Sequence, residues 1–267
     1  MKWPVLTAAA AVLLACGCGG QGGPSWKDRL FPPPVGTQLL KVESDKADER
    51  REALQAIAAD SGARRLPSVV RVFCLVANGA KDAKGARIAK ADDDPLVRSA
   101  AVRGLADMEG ADVVPTLGAV ATHDESPYVR MDACRALAGQ KDPAAAVPLA
   151  EVLCGDRVGD VRVAAAEALR YFKDKGAAKT LVTALDDSSL TVSRKAWESL
   201  RYMTGQNMPR KADVWTDFLA GAENPFEQYG KPPPMPKGEN QRPSFIRGPA
   251  ELIRDLFTPD VNEAELN

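Results

Sequence analysis

The sequence of 267 residues has one histidine, His123, few aromatic residues (6%) and almost no net charge. A single imidazole excludes metal sites built from two or three histidines. His123 adjoins Asp124, but no nucleophile is placed beside that pair, so histidine-based catalysis is not indicated. Because 35 Lys and Arg residues are balanced by 36 Asp and Glu residues, the chain also lacks the general positive field of a nucleic-acid-binding protein.

Motifs for cofactors are also scarce. The glycines between Gly17 and Gly23 neither follow a strand pattern nor open a helix pattern, so they do not form a phosphate-binding loop. The five cysteines include no CxxC pair, and we predict that Cys74, Cys134 and Cys154 are free thiols in the core. We therefore expect no metal, no cofactor, no small-molecule substrate and no catalytic residue, and we predict that the protein is not an enzyme.

The N-terminus has the pattern of an export signal. Lys2 precedes an apolar run over residues 3–15, about thirteen residues, whereas a membrane-spanning helix needs roughly 20. The run ends in Leu-Leu-Ala-Cys at residues 13–16, which resembles the bacterial lipobox. That resemblance implies a signal peptide over residues 1–15 and lipidation of Cys16, with Cys18 as the alternative. Several acyl chains on one residue would anchor the protein to a membrane stably.

The segments on either side of the middle of the chain lack helical periodicity. We assign residues 16–45 to the lipid anchor, a glycine-rich tether and an extended lead-in, since glycine-rich sequence behaves as a flexible linker. We assign residues 222–267 to a proline-rich tail with a short helix near residues 249–257. That helix either docks on the rest of the chain, docks on a partner or stays disordered.

The middle of the chain is an internal repeat. Arg98, Arg130 and Arg162 are spaced 32 residues apart, and Ser193 takes the same position 31 residues later. Each of these signal positions has Val one residue before it, Ala three residues after it and Leu seven residues after it. A weaker copy begins at Arg50, and it has about sixteen additional residues that we predict to be a charged loop or helix. An aspartate lies six residues before each of the four later signal positions: Asp92, Asp124, Asp156 and Asp187.

Each repeat predicts a pair of helices, A and B. In helix A the signal position is expected to point outward while the Ala and Leu positions face inward. Helix B begins near Leu66-Pro67, Val114-Pro115, Val147-Pro148 and Ala178-Lys179. The proline of the first three pairs suits the first helical turn. Val147 is expected to face inward. No unit could bury its apolar face alone, so the units must stack.

These features resemble short HEAT repeats of the phycobilisome-lyase type. The resemblance implies an all-α fold over residues 46–221, a right-handed superhelical solenoid of about five helix pairs. We expect each repeated Asp to accept backbone N–H groups at the turn into helix A, as an N-cap does. The repeated Arg could pair with an Asp of its own or a neighbouring unit, or remain a solvated surface charge.

The last repeat differs because it carries large aromatic residues. Trp197, Tyr202 and Trp215 are suited to cap the exposed end of the core, and a ligand pocket is the alternative. The run Leu-Arg-Tyr-Met-Thr-Gly-Gln at residues 200–206, followed by a Trp-bearing helix, is similar to HEAT-repeat lipoproteins of planctomycete-type bacteria. That resemblance implies a cell-envelope protein with no assigned biochemical activity.

These patterns predict a non-enzymatic envelope scaffold or adaptor that binds another protein through its helical-repeat surface or its tail. The alternatives are an accessory or lyase-like enzyme subunit, and binding of cell-wall glycan through the C-terminal aromatic residues. Burial of Trp197 and Trp215 would count against glycan binding. We expect an exported protein that is held by its lipid on a bacterial membrane, faces the periplasm and binds no nucleic acid. Since Gly17 rather than Asp follows Cys16, the outer membrane is preferred.

Overall fold

The computed structural model describes residues 34–81 and 87–231. The expected signal peptide, the lipidation candidates Cys16 and Cys18, the glycine-rich tether and the short helix near residues 249–257 all lie outside the described residues.

The described residues form a predominantly helical fold. Five helix pairs, which we call units 1 to 5, succeed one another as predicted, and three short 3₁₀ segments lie between helices. The α-helices are α1 Val35–Lys41, α2 Ala47–Ala59, α3 Pro67–Asn78, α4 Pro95–Leu105, α5 Val113–His123, α6 Pro127–Ala138, α7 Ala146–Gly155, α8 Gly159–Leu169, α9 Lys175–Thr183, α10 Leu190–Thr204 and α11 Ala212–Gly221; the 3₁₀ segments are Ala63–Arg65, Pro143–Ala145 and Ala184–Asp186. The unit pairs are α2–α3, α4–α5, α6–α7, α8–α9 and α10–α11, each written helix A then helix B.

The helices lie in two layers. The A helices stack on one another in one layer and the B helices in the other, so the predicted all-α solenoid is confirmed. Each of helices α3, α5, α7 and α9 packs more extensively against helix A of the following unit than against its own. The core between the layers is aliphatic, and its repeated Ala and Leu positions are fully buried: Ala101, Ala133, Ala165, Ala196, Leu105, Leu137, Leu169 and Leu200. Alanine at the contact lets neighbouring A helices approach closely.

Two elements of the N-terminal part differ from the sequence-based prediction. Residues 35–41, expected to be extended, form helix α1, which packs against α2 and buries Gln38. The additional residues of unit 1, expected as a charged loop or helix, include two short strands instead. Strand β1 (Ala80–Lys81) pairs antiparallel with β2 (Arg87–Ala89). The two strands lie in the chain between units 1 and 2.

Residues 222–231, expected as the start of the proline-rich tail, fold against the last unit. We call them the strap. The Gly230 N–H donates to the Tyr202 carbonyl at 2.9 Å, the Ala222 N–H donates to the Phe218 carbonyl at 2.9 Å, and Pro225 is buried. The C-terminal end of the solenoid is therefore covered by α11 and the strap together.

Candidate functional sites

The repeated arginines and aspartates join successive units. The guanidinium of each Arg binds the carboxylate of the next unit's Asp in a bidentate manner; for Arg130 and Asp156 the Nε–Oδ2 and Nη2–Oδ1 distances are 2.7 and 2.9 Å. The side chains of this pair are only 5% and 6% exposed. Planar guanidinium and carboxylate groups match each other in this geometry. The four pairs, which we call the ladder, are Arg50–Asp92, Arg98–Asp124, Arg130–Asp156 and Arg162–Asp187.

Each ladder Arg also binds the turn that precedes its own helix. The Arg130 Nη1–H donates to the Asp124 carbonyl at 2.8 Å, and the Asp124 Oδ1 accepts the Ser126 N–H at 2.8 Å. The expected backbone contact of the aspartate is therefore present, but the N-cap of α6 is Ser126, two residues later. The expected outward direction of the signal position is wrong, because Arg98 and Arg130 are buried. Each of these long side chains reaches both the turn before its own helix and the carboxylate of the following unit.

Serine replaces the ladder residue at each end. Ser193 holds the Arg position of unit 5, and its hydroxyl donates to the Leu185 carbonyl at 2.5 Å. Ser44 holds the Asp position of unit 1, and its carbonyl accepts the Arg50 Nη1–H at 2.9 Å. The ladder therefore starts and stops within the chain without leaving an unpaired Arg or Asp among these positions.

The ladder also fixes the charge state of its carboxylates. The hydrogen bond from Arg162 lowers the pKa of Asp187, against the opposing effect of burial. Burial acts to raise the pKa of Asp156, but the hydrogen bonds from Arg130 and the Val158 N–H outweigh it, so the pKa is lowered. Both aspartates are ionised at neutral pH, and their charge is neutralised by arginine.

The described residues bring together no catalytic pair around His123. The Asp124 carboxylate is engaged by Arg98, while the exposed His123 ring contacts the Thr122 hydroxyl. In residues 34–81 and 87–231, no group of three or more His, Cys, Asp and Glu side chains could hold a metal ion. Nor is any helix in this part of the chain long and apolar enough to cross a membrane.

The three described cysteines are free thiols, as predicted, but only two are buried. Burial raises the pKa of Cys134 to about 12 and also raises the pKa of Cys74, so both thiols are protonated at neutral pH. Cys154 was expected in the core and is exposed on α7 instead. Its neighbours Val152 and Leu153 occupy the buried face of the helix instead.

The two tryptophans of the last unit are enclosed. Trp197 and Trp215 are 1% and 0% exposed. Their indole N–H groups donate to the Met208 and Pro209 carbonyls at 2.8 and 2.9 Å. Both rings are therefore satisfied inside the end of the core and offer no surface to a ligand. The expected alternative of a pocket on Trp197, Tyr202 and Trp215 finds no geometric support, since both tryptophans are buried and the half-buried Tyr202 ring contacts Tyr171 and Tyr229.

Tyr202 belongs to a row of tyrosines that the repeat analysis missed. Tyr171 and Tyr202 meet edge to face at 6.0 Å between ring centroids, and Tyr202 and Tyr229 at 5.4 Å. The Arg170 guanidinium lies 4.9 and 5.0 Å from the centroids of Tyr171 and Tyr202, and the Lys173 Nζ lies 4.4 Å from that of Tyr229. The signal was present in the sequence, because Glu-x-Leu-Arg-Tyr occurs at residues 167–171 and again at 198–202.

The starts of the first three B helices form an exposed apolar row. Leu66 is 46% exposed and Val147 is 70% exposed, which corrects the expected inward direction of Val147. In unit 4 the row ends at Lys179, which is exposed. The apolar row consists of Leu66, Pro67, Val114, Pro115, Val147 and Pro148, all exposed or half-buried.

An open cleft lies at the C-terminal end, between the last unit and the strap. Its volume is about 470 Å³. Phe218 of α11 supplies an aromatic wall, and most of the other side chains are polar. The lining residues are Thr204, Gln206, Phe218, Ala222, Glu223, Asn224, Pro225, Glu227 and Gln228.

Comparison with known proteins finds similar solved structures and matches to repeat families. The similar solved structures include an engineered protein (17% identity over 70% of this chain and 85% of that chain, TM-score 0.44). They also include the CpcE–CpcF complex of phycocyanin lyase from Nostoc (17%, 70% and 81%, TM-score 0.39) and human deoxyhypusine hydroxylase in complex with glycerol (16%, 73% and 81%, TM-score 0.33). None of the curated proteins matches in sequence. Residues 86–170 match the family model for HEAT repeats and residues 161–187 match that for the PBS lyase HEAT-like repeat, so this part of the chain consists of HEAT repeats.

Proposed function

We propose that this protein is a non-enzymatic scaffold of the bacterial cell envelope that binds another protein through the B-helix side of its solenoid. The single observation that carries the proposal is the apolar row. Exposed or half-buried Leu, Val and Pro side chains recur at the same position of three successive units. A recurring set of exposed apolar side chains is typical of an interaction site.

The rigidity of the solenoid supports this function. The ladder ties each unit to the next, so the three parts of the apolar row are held at fixed spacing before a partner arrives. Helices that pack side by side lie about 8–10 Å apart. A preorganised surface loses little conformational entropy on binding, which leaves more of the contact energy for affinity.

The location is part of the same proposal. A lipid on Cys16, with Cys18 as the alternative, would hold the protein on a bacterial membrane with the solenoid in the periplasm, and the outer membrane is preferred. The support is the N-terminal sequence. Cys16→Ala in the full chain is expected to move the protein from the membrane fraction to the soluble fraction, while Cys18→Ala leaves it in the membrane fraction. The reverse result would assign the lipid to Cys18. If neither variant leaves the membrane fraction, lipid anchoring is contradicted.

The scaffold function is tested by photo-crosslinking in cells that produce the full chain. A benzoylphenylalanine residue replaces Val147 in one variant and Leu190 in a matched control, since these side chains are 70% and 68% exposed. One stoichiometric protein adduct is expected from position 147 and none from position 190. Equal adducts from both positions, or none from either, would contradict binding at the apolar row.

The lyase-like alternative can be tested through the reactivity of one thiol. Cys154 is the exposed thiol among the described residues, whereas burial raises the pKa of Cys74 and Cys134. A catalytic thiol would be reactive as a thiolate. Alkylation of Cys154 at the slow rate of an ordinary thiol would support the scaffold, and alkylation many times faster than free cysteine at pH 7 would favour the enzyme.

A further inference from the structure

We infer that the cleft between the last unit and the strap binds a neutral glycan segment of a few sugars. This site is separate from the apolar row, and the inference does not rest on the scaffold function. It also differs from the expected glycan site, because the enclosed tryptophans do not line it.

The lining side chains have unused hydrogen-bonding capacity. Within the described part of the chain, Gln206, Gln228, Glu223 and Glu227 make no side-chain hydrogen bond and no ion pair. Amide and carboxylate groups present paired donors or acceptors in one plane, which suits the adjacent hydroxyls of a sugar. Thr204 has a different role: its hydroxyl donates to the Leu200 carbonyl at 2.8 Å and accepts the Gln206 N–H at 3.2 Å, so it positions Gln206.

Phe218 gives the cleft an apolar wall. Its ring is half-buried and is held edge to face against Trp215, with 6.4 Å between the ring centroids. Because Trp215 is completely buried, the Phe218 ring has a rigid support. An aromatic face bordered by free polar groups fits the alternating C–H and O–H surface of a sugar ring. The volume of about 470 Å³ is within the range of small-ligand sites.

The charge of the lining restricts the ligand. Glu223 and Glu227 are exposed carboxylates, and no Lys or Arg side chain is among the residues that line the cleft. Polyanionic glycans would therefore be repelled. A neutral oligosaccharide satisfies the amides and the carboxylates without that penalty.

The cleft is preformed because the strap is fixed at several points. Gly205 ends α10 in the left-handed conformation (φ +69°), and a side chain there would collide with Gln228. The Tyr202–Tyr229 contact and Lys173 hold one end of the strap, and the Lys175 Nζ donates to the Ala222 carbonyl at 3.3 Å at the other. The strap therefore fixes the backbone of Glu223, Glu227 and Gln228 beside the cleft before a ligand arrives.

The test is calorimetric titration of the purified full-length chain with chitotetraose, cellotetraose and spermidine. At least one of the two neutral tetrasaccharides is expected to bind. Gln206→Ala and Phe218→Ala should each weaken that binding about tenfold, the loss expected for one well-placed contact. Glu109→Ala, which removes an exposed carboxylate far along the chain, is the matched control and should leave affinity unchanged.

Glu227→Gln separates sugar recognition from attraction of a cation. The substitution keeps the hydrogen-bonding shape and removes the charge, so glycan affinity should stay within about threefold of the original value. The inference would be overturned in favour of a cation site if neither tetrasaccharide binds and if spermidine binds the original chain but not this variant. No binding of any of the three ligands would also overturn it. Circular dichroism of each variant verifies that the fold is intact.

Discussion

The middle units and the last unit use the same helix pair in two different ways. In units 2 to 4 the signal position is an Arg that reaches the Asp of the following unit. In unit 5 the same position is Ser193, which closes on the Leu185 carbonyl, and the adjoining core is filled by Trp197 and Trp215.

The difference follows from what lies beyond each unit. A middle unit has a successor, so a directed polar contact can fix the angle and register between them. Among the described residues the last unit has no successor, and an Arg at its signal position would have no carboxylate of a following unit to bind. Large aromatic rings instead cover the apolar end. Polar contacts thus join the repeats, and aromatic burial terminates them.

Removing a ladder Arg should break the middle units most severely. Arg130→Ala deletes a guanidinium that is almost fully buried and leaves Asp156 without its counter-charge, so we expect a loss of about 3–5 kcal/mol in the free energy of unfolding. Urea denaturation measures it. Arg135→Ala, which removes an exposed partner of Asp132, is the control and should cost less than about 1 kcal/mol. Equal losses in the two variants would contradict a structural ladder.

The aromatic end should be weakened locally. Trp215→Phe removes the N–H bond to the Pro209 carbonyl and leaves a small void, for an expected loss of about 1–3 kcal/mol. Hydrogen exchange should become faster in α10, α11 and the strap while α4 to α7 stay protected, because a solenoid is stabilised by nearest-neighbour contacts. Uniformly faster exchange throughout the described helices would refute a local role.

Acid should weaken the ladder while leaving the aromatic end unaffected. The folded-state pKa values of Asp156 and Asp187 are lowered, so the stability they contribute is fully present above the unfolded value of about 3.9. It is lost as the pH falls through their folded pKa values. Urea midpoints measured from pH 7 to pH 2.5 should drop below about pH 4, and the drop should be smaller in Asp187→Asn. An unchanged slope in that variant would show that other carboxylates govern the acid response.

The smallest effect is expected where the ladder stops. Ser193→Ala removes one neutral hydrogen bond to the Leu185 carbonyl, worth about 0.5–1.5 kcal/mol. Thermal unfolding compared with the Arg130→Ala variant measures the contrast. A loss as large as that of Arg130→Ala would mean that the last unit depends on this position as strongly as the middle units do.

The repeat pattern made the solenoid predictable, while several local features were hidden from it. Helix pairs follow from the spacing of Ala and Leu, because an apolar stripe must be buried whatever the details. The direction of Arg130 could not be read in this way, since helical periodicity assigns a polar residue to solvent and ignores the reach of a long side chain. Val147 was misplaced because Ala146 and Leu149 occupy the buried face of α7 and leave Val147 on the opposite face.

Features that depend on contacts between distant segments were the least predictable. Proline and polar residues made residues 222–231 look like a tail, yet the strap is held by Tyr202, Tyr229 and the space left by Gly205. The cleft exists only because the strap folds back, so no spacing in the sequence announces it. The repeated Arg-Tyr pair of the last two units is visible in the sequence. The row of tyrosines could not be predicted from it, because the row also needs the contact between Tyr202 and Tyr229.

The direction of the ladder has a consequence for how chains of this type change in length. Every middle unit carries both an Asp for its predecessor and an Arg for its successor, so duplication of a segment such as residues 124–155 would insert a new unit that couples on both sides. A unit added beyond Ser193 would receive no Arg, and one added before Ser44 would find no Asp. Growth or loss of copies is therefore accommodated in the interior, while the two ends are inherited unchanged.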